Sequence, residues 1–233
     1  MRITLQPSYV LHTRPYNETS ALLDVFSLMY GRVHLLVRGL RTTRSRFRGL
    51  LRSFIPLLIS WSGKTELMSL SAVEINGSPL YLPGTALLSG IYLNELLVRV
   101  LPRFDAHPQL FLAYQQTLQL LQYEPELQER SLRLFEKELL QEAGYGLSLD
   151  QEAMTGEAIV PDAQYAFLPG KGLVKKFVLQ SQTLVFPGRT LLAFHQGVLE
   201  DREDLRLIKH LTRFAIADLL GNKPVRSREL FVK

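Results

Sequence analysis

The sequence predicts an α+β fold, a small five-stranded β-barrel followed by a mainly α-helical domain, and three observations carry that prediction. Short segments rich in Leu, Val, Ile and aromatics, cut by turn residues, fill roughly the first 75 residues. Beyond residue 80 the apolar spacing changes from two to between three and four. Between the two regimes lies dense punctuation, Gly77-Ser78-Pro79 to Pro83-Gly84. The domain boundary is therefore expected at 80/81, with residues 1–80 as the barrel and 81–233 as the helical domain.

The strands are expected at Tyr9–Thr13, Ala21–Leu28, Arg32–Val37, Phe54–Trp61 and Glu66–Glu74. Pro15-Tyr16-Asn17, Tyr30-Gly31, Gly39 and Ser62-Gly63-Lys64 separate them. Five short antiparallel strands in so little chain suit a closed barrel, and the OB-fold is the common form of such barrels among nucleic-acid binders. Helices follow over Thr85–Leu101, Pro108–Tyr123 and Glu126–Ala143, the last stopped by Gly144-Tyr145-Gly146. Residues 147–187 are less regular, with short strands expected at Tyr165–Leu168 and Leu173–Leu179. A short helix over Arg189–Gln196 and a final one over Arg202–Leu220 complete the chain, the latter with Leu205, Ile208, Leu211, Ala215 and Leu219 as its core stripe.

Charge points to a partner. Residues 1–80 hold ten Lys/Arg against four Asp/Glu, whereas the remainder holds 17 against 18. Between Val25 and Thr65 there is no acid at all. The string RGLRTTRSRFRGLLR supplies Arg38, Arg41, Arg44, Arg46, Arg48 and Arg52, and it falls after the third strand, in the longest loop of the barrel. A run of one sign repels itself unless a polyanion neutralises it, and nucleic-acid phosphate is the polyanion that fits. Phe47, inside the run, is the candidate for stacking on a base. Phe54 and Trp61 are an odd number of residues apart, so a regular strand would turn one of them into the core. A second, weaker basic surface is expected on the last helix, where Arg206, Lys209, His210 and Arg213 recur about one turn apart.

Other chemistries find no support. The absence of cysteine excludes disulfides, a Cys nucleophile and Cys-ligated zinc. Five scattered histidines offer no helical pair for a metal. Gly170-Lys171-Gly172 lacks the rest of a phosphate-binding loop and reads as a turn. Asp201, Glu203 and Asp204 read as charges at a helix N-terminus. No catalytic constellation, metal or cofactor is expected. The longest uncharged stretch, Ile75 to Asn94, is broken by prolines and glycines, so no membrane partner is expected and the chain reads as cytoplasmic.

Several motifs in order resemble one family. They are Tyr9-Val-Leu-His-Thr-Arg-Pro15 with Glu18-Thr-Ser20; Gly31-Arg32 with Arg38-Gly-Leu-Arg41; Phe54 to Leu58; Tyr92-Leu-Asn-Glu-Leu-Leu97; Phe135-Glu136, Leu139-Leu140 and Gly144-Tyr-Gly146; and Lys223-Pro-Val-Arg-Ser-Arg-Glu-Leu230. With these the chain resembles the RecO family of bacterial recombination mediators. The resemblance implies an N-terminal OB barrel and a helical domain, and a non-catalytic, nucleoid-associated protein. It implies binding of single- and double-stranded DNA, annealing of complementary strands, and action with RecR in loading recombinase onto DNA coated by single-stranded DNA-binding protein. The coating protein's acidic C-terminal tail would meet the helical domain, with Arg133 at the position matched to the carboxylate contact. Some members carry a cysteine zinc module after the third helix; here 147–187 would be its metal-free remnant. The rival reading is a general OB-fold single-strand DNA/RNA-binding protein not involved in recombination.

Overall fold

A computed structural model describes residues 1–47, 49–175, 184–221 and 223–232. The five N-terminal strands, β1 (Arg2–Tyr16), β2 (Ser20–Ser27), β3 (Gly31–Val37), β4 (Leu57–Ser62) and β5 (Leu67–Ile75), form a closed barrel in the order β1-β2-β3-β5-β4. All pairings are antiparallel except β3 with β5, where Leu36 lies opposite Ser69. That topology is the OB-fold.

Its first strand runs longer than the expected Tyr9–Thr13 at both ends. Its N-terminal half, through Ser8, pairs with β4 and its C-terminal half with β2, so one strand closes both sides of the barrel. Serving two neighbours requires a bend. It comes at Leu5, which adopts φ 48° and donates its N–H to Ser60 Oγ at 2.9 Å. The register also shifts between Val10 and His12. Ile3 and Leu5 do alternate with Arg2, Thr4 and Gln6, but Pro7, a poor strand-interior residue, separates them from the strand expected at Tyr9.

Alternation fills the barrel. Val10, Leu23, Val25, Val33, Leu35, Val37, Leu57, Ile59 and Trp61 point inward and are almost wholly buried. Trp61 packs edge-on against Tyr30, with ring centroids 5.5 Å apart. Phe54 is buried too, outside any strand: it precedes β4 with φ 66°, and its ring lies where a Cβ on Gly90 would sit. Both aromatics are therefore core residues, in different layers, because the strand expected at Phe54 begins only at Leu57.

Helices α1 (Thr85–Val100) and α2 (Pro108–Tyr123) belong to the same compact unit as the barrel, together with a 3-10 segment Arg226–Val232. Tyr9 and Phe26 on the barrel's outer face meet Phe111 and Tyr114 of α2 at centroid distances of 5.3–6.2 Å. Asn94 of α1 donates from Nδ2 to the Leu11 carbonyl at 2.9 Å and accepts from the Tyr114 hydroxyl at 2.6 Å. Glu95 accepts from the Arg226 and Ser227 backbone N–H groups at 2.9 and 2.7 Å, which fastens the C-terminal segment to α1. This unit comprises 1–125 and 225–233.

The second unit, 126–224, contains α3 (Gln128–Glu142), a three-stranded sheet, α4 (Gly188–Gln196) and α5 (Arg202–Leu219). The sheet has the order β7-β6-β8, built from β6 (Gln164–Leu168), β7 (Gly172–Lys175) and β8 (Val185–Pro187). The end of the strand expected at Leu173–Leu179 lies outside the described residues. Gly170-Lys171-Gly172 is the β6–β7 turn, with Lys171 N–H donating to Leu168 O at 3.0 Å and Gly170 at φ 69°. Asp201 caps α5, accepting from the N–H groups of Glu203 and Asp204 at 2.7 and 3.2 Å. Upstream of the sheet, Glu152 organises its loop by accepting from Met154 N, Thr155 N and Oγ1, and Lys175 N.

Candidate nucleic-acid interface

The arginine run leaves β3 at Val37 and returns at β4, and its turns are internally bonded. Thr42 donates from both N and Oγ1 to the Gly39 carbonyl, and Leu50 N–H donates to Phe47 O. These turns fold the loop back over β3 and β5. An open groove results, lined by Leu36, Arg38, Thr42, Arg44, Ser45, Arg46, Phe47, Ser69 and Leu70. Three arginines line it, and among the described lining residues there is no carboxylate. Ser69 and Leu70 reach it only through the parallel β3–β5 pairing, so nothing local in the sequence could have named them.

Among the expected contacts, Arg38, Arg44 and Arg46 are exposed and brought together. Arg46 Nη2 donates to Ser71 O at 3.2 Å, and its guanidinium lies 4.6 Å from the centre of the Phe47 ring. Phe47 itself is half-buried against the barrel core, with one ring face covered by Arg46. Arg41 does not line the groove. It staples the loop to the β1–β2 hairpin, its N–H donating to Thr19 O at 2.9 Å and its Nη1 to Asn17 O at 2.8 Å. Arg52 is exposed away from the groove, and Arg48 lies outside the described residues.

Arg32, the first arginine of the acid-free stretch, is part of the protein's own electrostatics. It lies 3.1 Å from buried Asp24 and donates from Nε to Leu101 O at 2.9 Å. His34 meets the same Asp24 oxygen. Burial, aided by Arg103 and Arg32, pushes the His34 imidazole below its ordinary pKa against the pull of Asp24. The shift favours the neutral imidazole, and Arg32 supplies the counter-charge to Asp24.

The second basic surface is partly compensated. Arg206 is exposed, 3.6 Å from Glu203 on its own helix, while Lys209 reaches across to Glu129 of α3 at 2.8 Å. Arg213 is exposed. Arg133 is not a surface residue: only 3% of it is accessible, and its Nη2 lies 2.9 Å from the fully buried carboxylate of Glu136. Its Nη1 is 3.5 Å from Thr212 Oγ1, and its Nε has no acceptor among the described residues. No described helix is long and apolar enough to cross a membrane, and the described residues contain no cluster of metal-ligating side chains.

Two family models match the chain. "Recombination protein O N terminal" covers residues 1–79, the barrel, and "Recombination protein O C terminal" covers residues 84–229. Relatives described as "DNA repair protein RecO" resemble it along nearly their whole length. The protein of Coxiella burnetii is 44% identical over 231 residues, covering 98% of each chain. Those of Nitrosococcus oceani and Dechloromonas aromatica are 43% and 42% identical, covering 99% of this chain and 93% and 96% of their own. Barrel topology, paired models and end-to-end identity agree, and the chain belongs to the RecO family.

Proposed function

We propose that the protein acts in DNA repair and recombination as a non-catalytic mediator. It binds single- and double-stranded DNA, anneals complementary strands and, with RecR, helps load recombinase onto DNA coated by single-stranded DNA-binding protein. The observation that carries this reading is the groove where Arg38, Arg44 and Arg46 converge without an intervening carboxylate. Phosphate is the group such a site favours, and strands held by their backbones keep their base edges free to pair. Two strands repel each other; a basic surface that holds both lowers that barrier without nucleotide hydrolysis. Arg41 supports the groove through the hairpin, and Arg48, Arg52, Arg206, Lys209 and Arg213 are further candidate phosphate contacts.

Recognition of the coating protein's tail is proposed for the helical region, with Arg133 as the carboxylate contact. Support comes from the family resemblance; because Arg133 is buried beside Glu136, tail contact would require its cover to move. Annealing of complementary strands, bare or pre-coated with intact or tail-less single-stranded DNA-binding protein, tests the reading without ATP. Tail-dependent acceleration is the expected result. Annealing of bare strands alone would leave a general single-strand binder, and absence of annealing would overturn the reading.

A further inference from the structure

Among the described residues of this unit, the outer face of β1–β2–β3 is only half covered. Strand partners share a face, so the register sorts its rows. Tyr9 and Phe26 lie beneath α2, and in the next row Asp24 and His34 are buried, with Arg32 held to the Leu101 carbonyl, while His12 opposite Asp24 is exposed. Beyond that row the cover ends. The next row runs Arg14–Leu22–Leu36–Ser69, and after it Tyr16 pairs with Ser20 at the hairpin end. Leu36 and Ser69 already line the arginine groove, so Arg14 and Tyr16 stand on its continuation.

Their condition differs from that of their covered neighbours. Both are exposed, Tyr16 by 40%, and neither side chain has a hydrogen bond or ion pair among the described residues. Half-buried Leu22 and Leu36 form an apolar floor between them and the groove. The acid Glu18 lies in the turn beyond Tyr16. The two bonds from Arg41 to Asn17 and Thr19 hold this hairpin end against the arginine loop. A phenol ring in the open, an apolar floor and a cation on each side match the alternation of bases and phosphates in a single strand.

We propose that single-stranded DNA leaves the groove of Arg38, Arg44 and Arg46 across Leu36 and Leu22 to the end of β1, where Arg14 contacts a phosphate and Tyr16 stacks on a base. This subsite rests on the DNA-binding reading above and adds two contacts to it. Titrations of the full-length protein with labelled oligo(dT) across a salt series test it, using Arg14→Ala, Tyr16→Ala, Tyr16→Phe and Tyr16→Trp. Arg14→Ala should lower the slope of log affinity against log salt by about 0.7, the share of one phosphate. Tyr16→Ala should weaken binding roughly 5- to 100-fold, Tyr16→Phe should restore it, and the loss should vanish on an abasic oligomer. The fluorescence of Tyr16→Trp should be quenched as oligo(dT) binds. Wild-type affinity and slope in Arg14→Ala and Tyr16→Ala, with an unquenched Tyr16→Trp that still binds, would overturn the subsite and leave the groove standing. Absence of salt-dependent binding by the wild-type protein would overturn both.

Discussion

The Glu136 carboxylate lies 2.9 Å from the Arg133 guanidinium on α3, and the two residues are 0% and 3% accessible. Separating such a pair strands a charge in a low-dielectric interior, whereas replacing both partners together does not. Arg133→Ala is therefore expected to destabilise the protein by about 3–5 kcal/mol, with most of that loss recovered in Arg133→Met/Glu136→Met. Urea unfolding of the three proteins measures it. Tail-peptide affinity is best compared in the double variant, where lost binding cannot be attributed to unfolding; unchanged affinity there would remove Arg133 from the tail site.

Groove electrostatics have a direct readout. Replacing Arg38, Arg44 and Arg46 with Ala should reduce the salt slope for single-stranded DNA by roughly 2, about 0.7 for each phosphate released. Arg32→Ala should instead lower stability, because it leaves buried Asp24 without its counter-charge. Anisotropy against salt and urea unfolding on the two variants separate these outcomes; a lost slope in Arg32→Ala with unchanged stability would reverse the assignment.

Asn94 joins β1, α1 and α2 through Leu11 and Tyr114. Asn94→Leu fills similar space but removes the Tyr114 hydroxyl's bond to Asn94 and leaves the Leu11 carbonyl with only the longer 3.5 Å contact from Ser53 Oγ. A loss of about 1–3 kcal/mol is expected. Adding Tyr114→Phe should recover part of it, and additive losses would show that the two residues are not coupled.

Stability should also depend on acid through Glu95. Burial pushes its carboxyl up, but hydrogen bonds from the Ser227 and Arg226 N–H groups and from Arg99 outweigh burial, so its pKa lies below the ordinary 4.5. A carboxylate depressed by folding contributes stability that is complete above the unfolded-state value and lost as pH falls through the folded one. Glu95→Gln should therefore be less stable than wild type at neutral pH, with the gap closing below about pH 4.5. A gap that persists undiminished into acid would deny the linkage.

Much of this architecture is legible in the linear sequence, because the signals concerned are local. Alternation and turn residues mark β2 and β3 nearly to the residue, and Pro108 and Gly144 bound helices because they act on their own backbone. The acid-free arginine run is equally local, and it falls in the β3–β4 loop. Long-range contact decided the rest. Ser69 and Leu70 join Arg38 and Arg44 only because β3 pairs with β5 in parallel. Phe54 is buried by a glycine on α1, and Arg41 becomes a staple because Asn17 and Thr19 lie beside it. Arg133 sits on an amphipathic helix whose sequence does not say how much of it will be covered, and burial next to Glu136 turned an apparent surface cation into a core ion pair. Periodicity reports the face a side chain takes on its own element; which other element comes to lie against that face is set by packing between residues far apart in the chain, and no local spacing encodes it.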